Sequence, residues 1–324
     1  MVNKIKAVML GHAVGDALGV PVEFESREEL SKAPVTDMEG YGTYDVPAGA
    51  WSDDTSMSLA TLDTMSRKDW NCFDVMVSFA RWLGLGEYTP TGECFDVGGT
   101  CLAAIEDFVK RCYSEEKHGF VRPEGIEVTD FGQRGERSNG NGSLMRINPF
   151  VLFAHFNEQE YFGWMGCVKT GSQLTHAHER SVMACFIYGY CLEFLLKEAS
   201  KKSLREAIRF TGRDLEHMSE FDHFKRIFAD DFESLPEEKI KSTGYVVDTL
   251  EAALWCLLTT ESYRECVLKA VNLGEDTDTV AAVAGGLAGA LYGLEGIPEE
   301  WLNTLIKREY IEEICEKAAA CWAE

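Results

Sequence analysis

Apolar side chains recur at intervals of three and four residues along most of the chain. This spacing places apolar side chains on one face of a helix and is typical of amphipathic α-helices. Runs that alternate Val, Ile or Thr with polar residues, which would predict strands, are few. No proline interrupts residues 150–235 or 237–297, as long helices require. Helices are predicted over residues 4–18, 54–66, 73–83, 98–112, 178–197, 204–210, 248–258, 262–272, 278–293, 299–307 and 309–322.

Three stretches break the helical pattern, at residues 33–50, 114–148 and 230–244. None has the composition of a flexible interdomain linker, and the chain shows no internal repeat. The sequence therefore predicts the all-α fold class, with a single compact domain over residues 1–324 of roughly ten or more helices. A stripe of small residues in the predicted helix 278–293 would let a neighbouring helix approach closely in the core. The stripe consists of Ala281, Ala284, Gly285, Ala288, Gly289 and Gly293.

Composition and net charge exclude several classes of protein. Hydrophobic residues make up 45% and charged residues 26% of the 324 positions, so the chain can bury a core and is neither disordered nor fibrous. Lys and Arg number 31 against 54 Asp and Glu, for a net charge of −23. This charge repels nucleic-acid phosphates and anionic membranes, so we expect no nucleic-acid partner. It leaves open an anionic ligand that metal ions or helix N-termini hold locally.

The cysteines and the apolar runs indicate a cytoplasmic protein. The 11 cysteines contain no C-x-x-C pair, so they suit neither a disulfide framework nor a zinc ribbon, and a reducing compartment is expected. His12 and Asp16 interrupt the apolar N-terminal run, which therefore does not resemble a signal peptide. The 16-residue run from Thr279 to Leu294 is shorter than the roughly 20 residues that span a bilayer. We expect a buried helix there and no membrane partner.

Two acidic clusters precede predicted helices, at residues 51–55 and 274–279. Capping of a helix N-terminus accounts for a single such cluster, but each holds more carboxylates than one cap needs. Hard cations such as Mg²⁺, Mn²⁺ and Ca²⁺ prefer carboxylate and hydroxyl oxygens. If the two helix starts converge, their six oxygen-bearing side chains are enough for a binuclear metal site. The candidate ligands are Ser52, Asp53, Asp54, Asp276, Asp278 and Thr279.

Two further acids follow or precede predicted helices. Glu23 lies just beyond Pro21, which ends the first predicted helix, and on its own it would be a solvated surface acid. Asp96 precedes Gly98 and Gly99 at a helix start, where a capping role is the ordinary expectation.

Two polar motifs lie between these acids and the second cluster. Residues 139–142 alternate Asn and Gly, which permits left-handed backbone and lets successive N–H groups converge on an anion, although a tight turn explains the pattern equally. His176 and His178 lack the third and fourth ligands that a zinc site needs.

The six motifs together, in this order, resemble those of the ADP-ribosylglycohydrolase family, from Gly11 to about Gly293. The resemblance implies an all-α orthogonal bundle with a binuclear Mg²⁺ or Mn²⁺ centre in a cleft. The family's first metal motif has Thr or Ser before two Asp and matches residues 52–54. Its second, Asp-x-Asp-Thr, matches residues 276–279. The family's Gly-Gly-Asp reads Gly274-Glu275-Asp276 here, which adds an acid beside the site and leaves the ligands intact.

The same resemblance implies a metal-dependent hydrolase that removes ADP-ribose from modified protein side chains, through an oxocarbenium-like centre. Its partners would be an ADP-ribosylated protein and ADP-ribose, and its cofactors two Mg²⁺ or Mn²⁺ ions. Glu23, Asp96 and Asp54 would be catalytic, with the acid, base and ribose-stabilising roles of Glu23 and Asp96 exchangeable. Arg146 and Asn148 would support the loop of residues 141–143, the substrate loop, rather than touch the ligand. The substrate-binding residues would be Gly99, Asn141, Gly142, Ser143 and His176.

The motifs at residues 15–24, 95–100 and 139–146 look more like the bacterial, arginine-linked branch of the family than the serine-linked branch. Removal of ADP-ribose from arginine is therefore the preferred function. Four alternatives stay open: hydrolysis of serine-linked ADP-ribose, hydrolysis of a small conjugate such as O-acetyl-ADP-ribose, a non-catalytic ADP-ribose-binding relative, and an unrelated binuclear phosphoesterase.

Overall fold

The computed structural model describes residues 1–323. Helices take up 62% of the chain and strands 2%, which confirms the predicted all-α class. The described part contains fourteen α-helices and one two-stranded antiparallel hairpin, β1 (Tyr113–Ser114) with β2 (Gly119–Phe120). The helices are α1 (Val2–Gly19), α2 (Arg27–Lys32), α3 (Asp53–Met65), α4 (Cys72–Leu85), α5 (Gly99–Cys112), α6 (Asn148–Phe156), α7 (Tyr161–Gln173), α8 (Glu179–Lys197), α9 (Lys201–Asp214), α10 (Val246–Leu258), α11 (Tyr263–Val271), α12 (Thr277–Tyr292), α13 (Glu299–Thr304) and α14 (Arg308–Trp322).

Helices α1 and α12 form the central pair of the bundle, because glycines let their backbones touch. A Cβ added at Gly11 would lie 2.5 Å from the carbonyl oxygen of Gly285. A Cβ at Gly15 would collide with the backbone of Ala281, and one at Gly289 with that of Ala7. The small-residue stripe therefore packs against α1, as predicted, and any larger side chain would force the two helices apart.

The first helix is apolar enough to raise the question of a membrane. Residues Val2–Val22 pass a length and composition test for a membrane span, alone among the helices of the described residues, yet 89% of the span is buried inside the protein. The central position of α1 accounts for this composition, because a helix packed on all sides is hydrophobic all round.

The prediction missed α2, α6 and α7. Helix α6 is apolar on nearly every face, so it shows no helical alternation, and α7 contains three glycines, which are poor helix formers. Gly171 of α7 is needed for packing, since a Cβ there would lie 2.7 Å from the ring of Phe150. The short helix α2 depends on a capping box between Ser26 and Glu29.

Candidate active site

The N-termini of α3 and α12 meet at one end of the central helix pair. Thr279 Oγ1 donates to Asp54 Oδ2 at 3.3 Å, across 225 residues of sequence, and Ser52 Oγ donates to the same oxygen at 3.3 Å. Ser52 also caps α3 by accepting from the Asp54 N–H. The structure thus brings the two acidic clusters together, which is the condition that a shared metal site requires. The ligand roles of the six residues stay predictions.

A buried carboxylate that the sequence analysis left without a role fixes the start of α3. Asp16, on α1, accepts the Ser52 N–H at 2.9 Å, the Thr55 N–H at 3.0 Å and the Thr55 hydroxyl at 2.6 Å. Burial raises the pKa of Asp16 to about 6, against the effect of these donors. The sequence carried a signal for this residue, because a single carboxylate within an apolar helical run must find buried partners.

Glu23 lies beside the second acidic cluster and is only 5% exposed, so it is not a solvated surface acid. Carboxylate oxygens of Glu23, Asp276 and Asp278 all lie within 4.8 Å of one another. The loop of residues 41–46 covers this segment: Thr43 N–H donates to the Pro21 carbonyl at 2.8 Å and Thr43 Oγ1 to the Glu23 carbonyl at 2.6 Å.

No positive side chain lies in the cavity beside Glu23 and the two acidic clusters in the described residues. Burial, together with Asp96 and Asp276, raises the pKa of Glu23 to about 9, and burial with neighbouring carboxylates raises the pKa of Asp53, Asp54 and Asp278 well above the ordinary value. The described residues that line the cavity include no Lys or Arg. Buried oxygens without a hydrogen-bond partner are the donor set that a hard cation takes, so the residues fit a divalent metal. These oxygens are Glu23 Oε2, Asp54 Oδ1, Asp276 Oδ1 and Asp278 Oδ2.

The carboxyl of Asp96 interacts with those of Glu23 and of Asp278 on α12, and Asp96 does not cap α5, whose N-cap is Gly98. Its backbone is left-handed (φ 50°), and its burial raises its pKa beside Asp276. Tyr44, which the sequence analysis missed, interacts with both Glu23 and Asp96, and burial and these two carboxylates raise the pKa of its hydroxyl. The hydroxyl therefore stays protonated and is a shared donor for the two acids.

A cavity of about 400 Å³ opens above the acidic cluster. Gly99, Asn141, Gly142 and His176 line it together with Asp53, Asp276 and Thr279, whereas Ser143 does not. The Ser143 side chain is fully buried and accepts from Ser172 Oγ at 3.0 Å. Of the five predicted substrate-binding residues, the structure therefore places four at the cavity wall and one behind it.

Asn141 links the predicted substrate loop to the acidic cluster. Its side-chain amide donates to Asp276 Oδ2 at 2.8 Å and to Thr249 Oγ1 at 2.9 Å. The loop itself pairs with residues 244–246, because Asn141 N–H donates to the Gly244 carbonyl at 3.1 Å. Asn141 thus positions a candidate metal ligand besides facing the cavity.

His176 is a neutral wall residue. Burial and the charge of Arg146 lower its pKa to about 3. Thr175 Oγ1 accepts from Arg146 at 2.7 Å and is 2.8 Å from His176 Nδ1, so the Thr175 hydroxyl can donate to Nδ1 and leave Nε2–H as a donor. Arg146 also donates to the Gly171 carbonyl at 3.0 Å and does not line the cavity. This placement agrees with a supporting role for Arg146.

Asn148 is buried behind the cavity and has the same kind of supporting position. Its side chain accepts from the Tyr188 hydroxyl at 2.6 Å and lies 3.3 Å from His12 Nδ1. It joins α6, α8 and α1 beneath the metal-ligand candidates and has no place in the cavity lining.

Several known proteins resemble this chain over most of its length. The ADP-ribosylglycohydrolase family profile matches residues 1–324. An ADP-ribosylarginine hydrolase Tri1 of Serratia proteamaculans is 32% identical over 97% of this chain and 78% of its own length. The ADP-ribosyl-[dinitrogen reductase] glycohydrolase of Rhodospirillum rubrum is 30% identical over 94% and 90%. A solved structure titled an ADP-ribosylglycohydrolase-related protein complex superposes with a TM-score of 0.78 at 29% identity, covering 99% of this chain and 98% of that one. The predicted family and hydrolase class are confirmed, and the chain belongs to the ADP-ribosylglycohydrolase family.

Proposed function

We propose that this protein is a metal-dependent hydrolase that releases ADP-ribose from arginine side chains of modified proteins. The observation that supports this proposal best is the meeting of two distant acidic clusters beneath one cavity, with four carboxylate oxygens left without a partner. Relatives named ADP-ribosylarginine hydrolase, at 32% and 34% identity, support the arginine linkage. All eleven cysteines are free thiols, which supports a cytoplasmic location.

The candidate ligands Ser52, Asp53, Asp54, Asp276, Asp278 and Thr279 would hold two Mg²⁺ or Mn²⁺ ions. Such ions polarise hydroxyl oxygens and make a bound water more acidic. Thr279 and Ser52 already share one oxygen of Asp54, and Asn141 and Asp16 keep the two acidic clusters in place.

Glu23 and Asp96 supply proton transfer. The bond between ribose C1 and the guanidine nitrogen breaks, its electron pair leaves with the nitrogen, and water adds to C1. The departing nitrogen needs a proton, and the attacking water must lose one. We assign the proton donor to Glu23 and the base to Asp96, because both carboxyls line the cavity and both interact with Tyr44. Tyr44 orients both carboxyls.

The test is release of ADP-ribose from arginine-modified and serine-modified protein, with Mg²⁺, with Mn²⁺ and with chelator. We expect release from arginine only, and only with metal. Asp278→Asn should lower the rate of ADP-ribose release at least about a hundredfold, because it removes a metal ligand. Asp107→Asn is the matched control and should retain the wild-type rate, because Asp107 is a half-buried acid on α5 that pairs with Arg111 and does not line the cavity.

Other outcomes would replace the proposal. Release from serine only would keep the fold and the metals but refute the arginine linkage. Turnover of O-acetyl-ADP-ribose alone would make the protein a hydrolase of small conjugates. Tight ADP-ribose binding without release from any of these substrates would make it a binding module.

A further inference from the structure

A large aromatic side chain is exposed at the mouth of the cavity. Phe24 is 68% exposed and contributes to the cavity lining, directly after Glu23. Its backbone is left-handed, with φ 67°, a conformation that costs a residue with a Cβ about 1–3 kcal/mol. Burial of the ring cannot repay this cost, because the ring stays in water. The position therefore calls for an explanation other than packing.

Backbone hydrogen bonds hold Phe24 in this conformation. The Phe24 N–H donates to the Glu275 carbonyl at 2.7 Å, and the Glu275 N–H donates to the Glu25 carbonyl at 2.7 Å. Glu275 is itself left-handed, with φ 65°. These two hydrogen bonds join the two left-handed segments, so the backbone at Phe24 is fixed relative to the second acidic cluster.

The surroundings of the ring are acidic. Glu25 and Glu275 are exposed next to these backbone hydrogen bonds, and within residues 1–323 neither side chain has a hydrogen-bond or ion-pair partner. Glu23 and Asp96 face the same cavity from inside. An exposed aromatic face in the same segment as the unpaired carboxylates of Glu25 and Glu275 suits a flat, weakly hydrated cation.

We infer that Phe24 is a specificity-determining residue that stacks on the arginine guanidinium of the modified acceptor, on the side of the cavity where the leaving group departs. This inference rests on the proposed function and names the group that the cavity mouth recognises. A guanidinium is planar and cationic, so it gains from the ring face and from Glu25 and Glu275 together. A neutral hydroxyl leaving group gains from neither.

The experiment compares wild-type enzyme with Phe24→Leu, Phe24→Tyr and the control Leu85→Ala. Leu keeps apolar bulk without a π face, Tyr keeps the π face, and Leu85 is an equally exposed apolar residue, 70% exposed. Two quantities are measured for each variant with Mn²⁺ present: kcat/KM on ADP-ribosylarginine, and the Kd of ADP-ribose by calorimetry. Melting temperatures check that every variant folds.

We expect Phe24→Leu to lower kcat/KM about three- to thirtyfold, the range of a cation–π contact, and to change the Kd of ADP-ribose less than about twofold. Phe24→Tyr and Leu85→Ala should stay within about twofold of wild type. Wild-type activity in Phe24→Leu, or an equal loss in kcat/KM and in ADP-ribose affinity, would overturn the inference. If wild-type enzyme itself releases nothing from arginine, the proposed function fails instead, so the two failures are distinguishable.

Discussion

Asp16→Asn tests whether the buried carboxylate of Asp16, on α1, holds the start of α3, where Ser52, Asp53 and Asp54 lie. The carboxylate offers two oxygens to three donors, at 2.9, 3.0 and 2.6 Å. Asn offers one oxygen and an NH₂ group, so one buried backbone N–H of Ser52 or Thr55 must face another donor. A hydrogen bond to a charged acceptor is worth about 1.5–3 kcal/mol, and an unpaired buried N–H costs about 1–3 kcal/mol.

Part of this loss is offset, because Asn removes a buried charge whose desolvation raises the pKa of Asp16 to about 6. We therefore expect the free energy of unfolding to fall by about 2–4 kcal/mol at pH 7.5. Since the start of α3 carries Asp53 and Asp54, we also expect Mn²⁺ affinity to fall about ten- to a hundredfold, as when residues that orient metal ligands are changed.

The assay is urea unfolding of the chelated protein, followed by Mn²⁺ titration of the folded variant. Thr55→Val, combined with Asp16→Asn in a double-mutant cycle, isolates the contact between the Asp16 carboxylate and the Thr55 hydroxyl. Asp107→Asn is the control and should change the free energy of unfolding by less than about 0.5 kcal/mol. A change this small in Asp16→Asn, with Mn²⁺ affinity intact, would refute the reasoning.

Three further predictions follow from the same contacts. Gly15→Ala should lower the free energy of unfolding by about 1–3 kcal/mol or prevent folding, because the added Cβ collides with the backbone of Ala281; urea midpoints measure this, and a wild-type midpoint would contradict it. Asn141→Ala should weaken Mn²⁺ binding about tenfold, since the amide that holds Asp276 is lost; calorimetry measures the affinity, and an unchanged Kd would show that Asn141 has no positioning role. In chelated protein, the raised pKa of Glu23, about 9 against 4.5 for an ordinary Glu, means that the folded state binds the proton more tightly than the unfolded state. Thermal stability should therefore increase as pH falls from about 9 towards 7. Below about 6.5 the lowered pKa values of His12 and His176 act in the opposite direction. Mn²⁺ should raise the melting temperature more at pH 8 than at pH 5. A melting temperature that decreases steadily as the pH falls from 9 to 7, in the absence of metal, would contradict this prediction.

Local sequence predicted most helices because their apolar spacing reflects the face that each buries. The predicted helices 73–83 and 98–112 illustrate this, since α4 and α5 each bury one face, and the buried residues recur at helical spacing. It failed at α6 and α7, where the pattern depends on tertiary neighbours. Helix α6 is apolar all round, and Gly171 of α7 is required because the ring of Phe150 packs on it. A single-sequence pattern contains no information about that neighbour.

The sequence also predicted the residue types of the site. Carboxylates and hydroxyls at two helix starts, more than caps require, indicated a hard-cation site, and the order of the motifs identified the family. The sequence alone therefore determined which side-chain oxygens are available to bind a cation and at which helix N-termini they lie.

The tertiary structure decided which of these groups meet. Glycines let α1 and α12 approach closely, and Asp16 of α1 holds the start of α3. Thr279 Oγ1 and Asp54 Oδ2 therefore lie 3.3 Å apart although 225 residues separate them. The fold of residues 41–46 over Pro21 buries Glu23 and brings Tyr44 to its carboxyl, and the pairing of the substrate loop with residues 244–246 turns Asn141 toward Asp276. These placements depend on long-range packing, in which the position of each group is set by neighbours remote in sequence, so no local pattern could specify them.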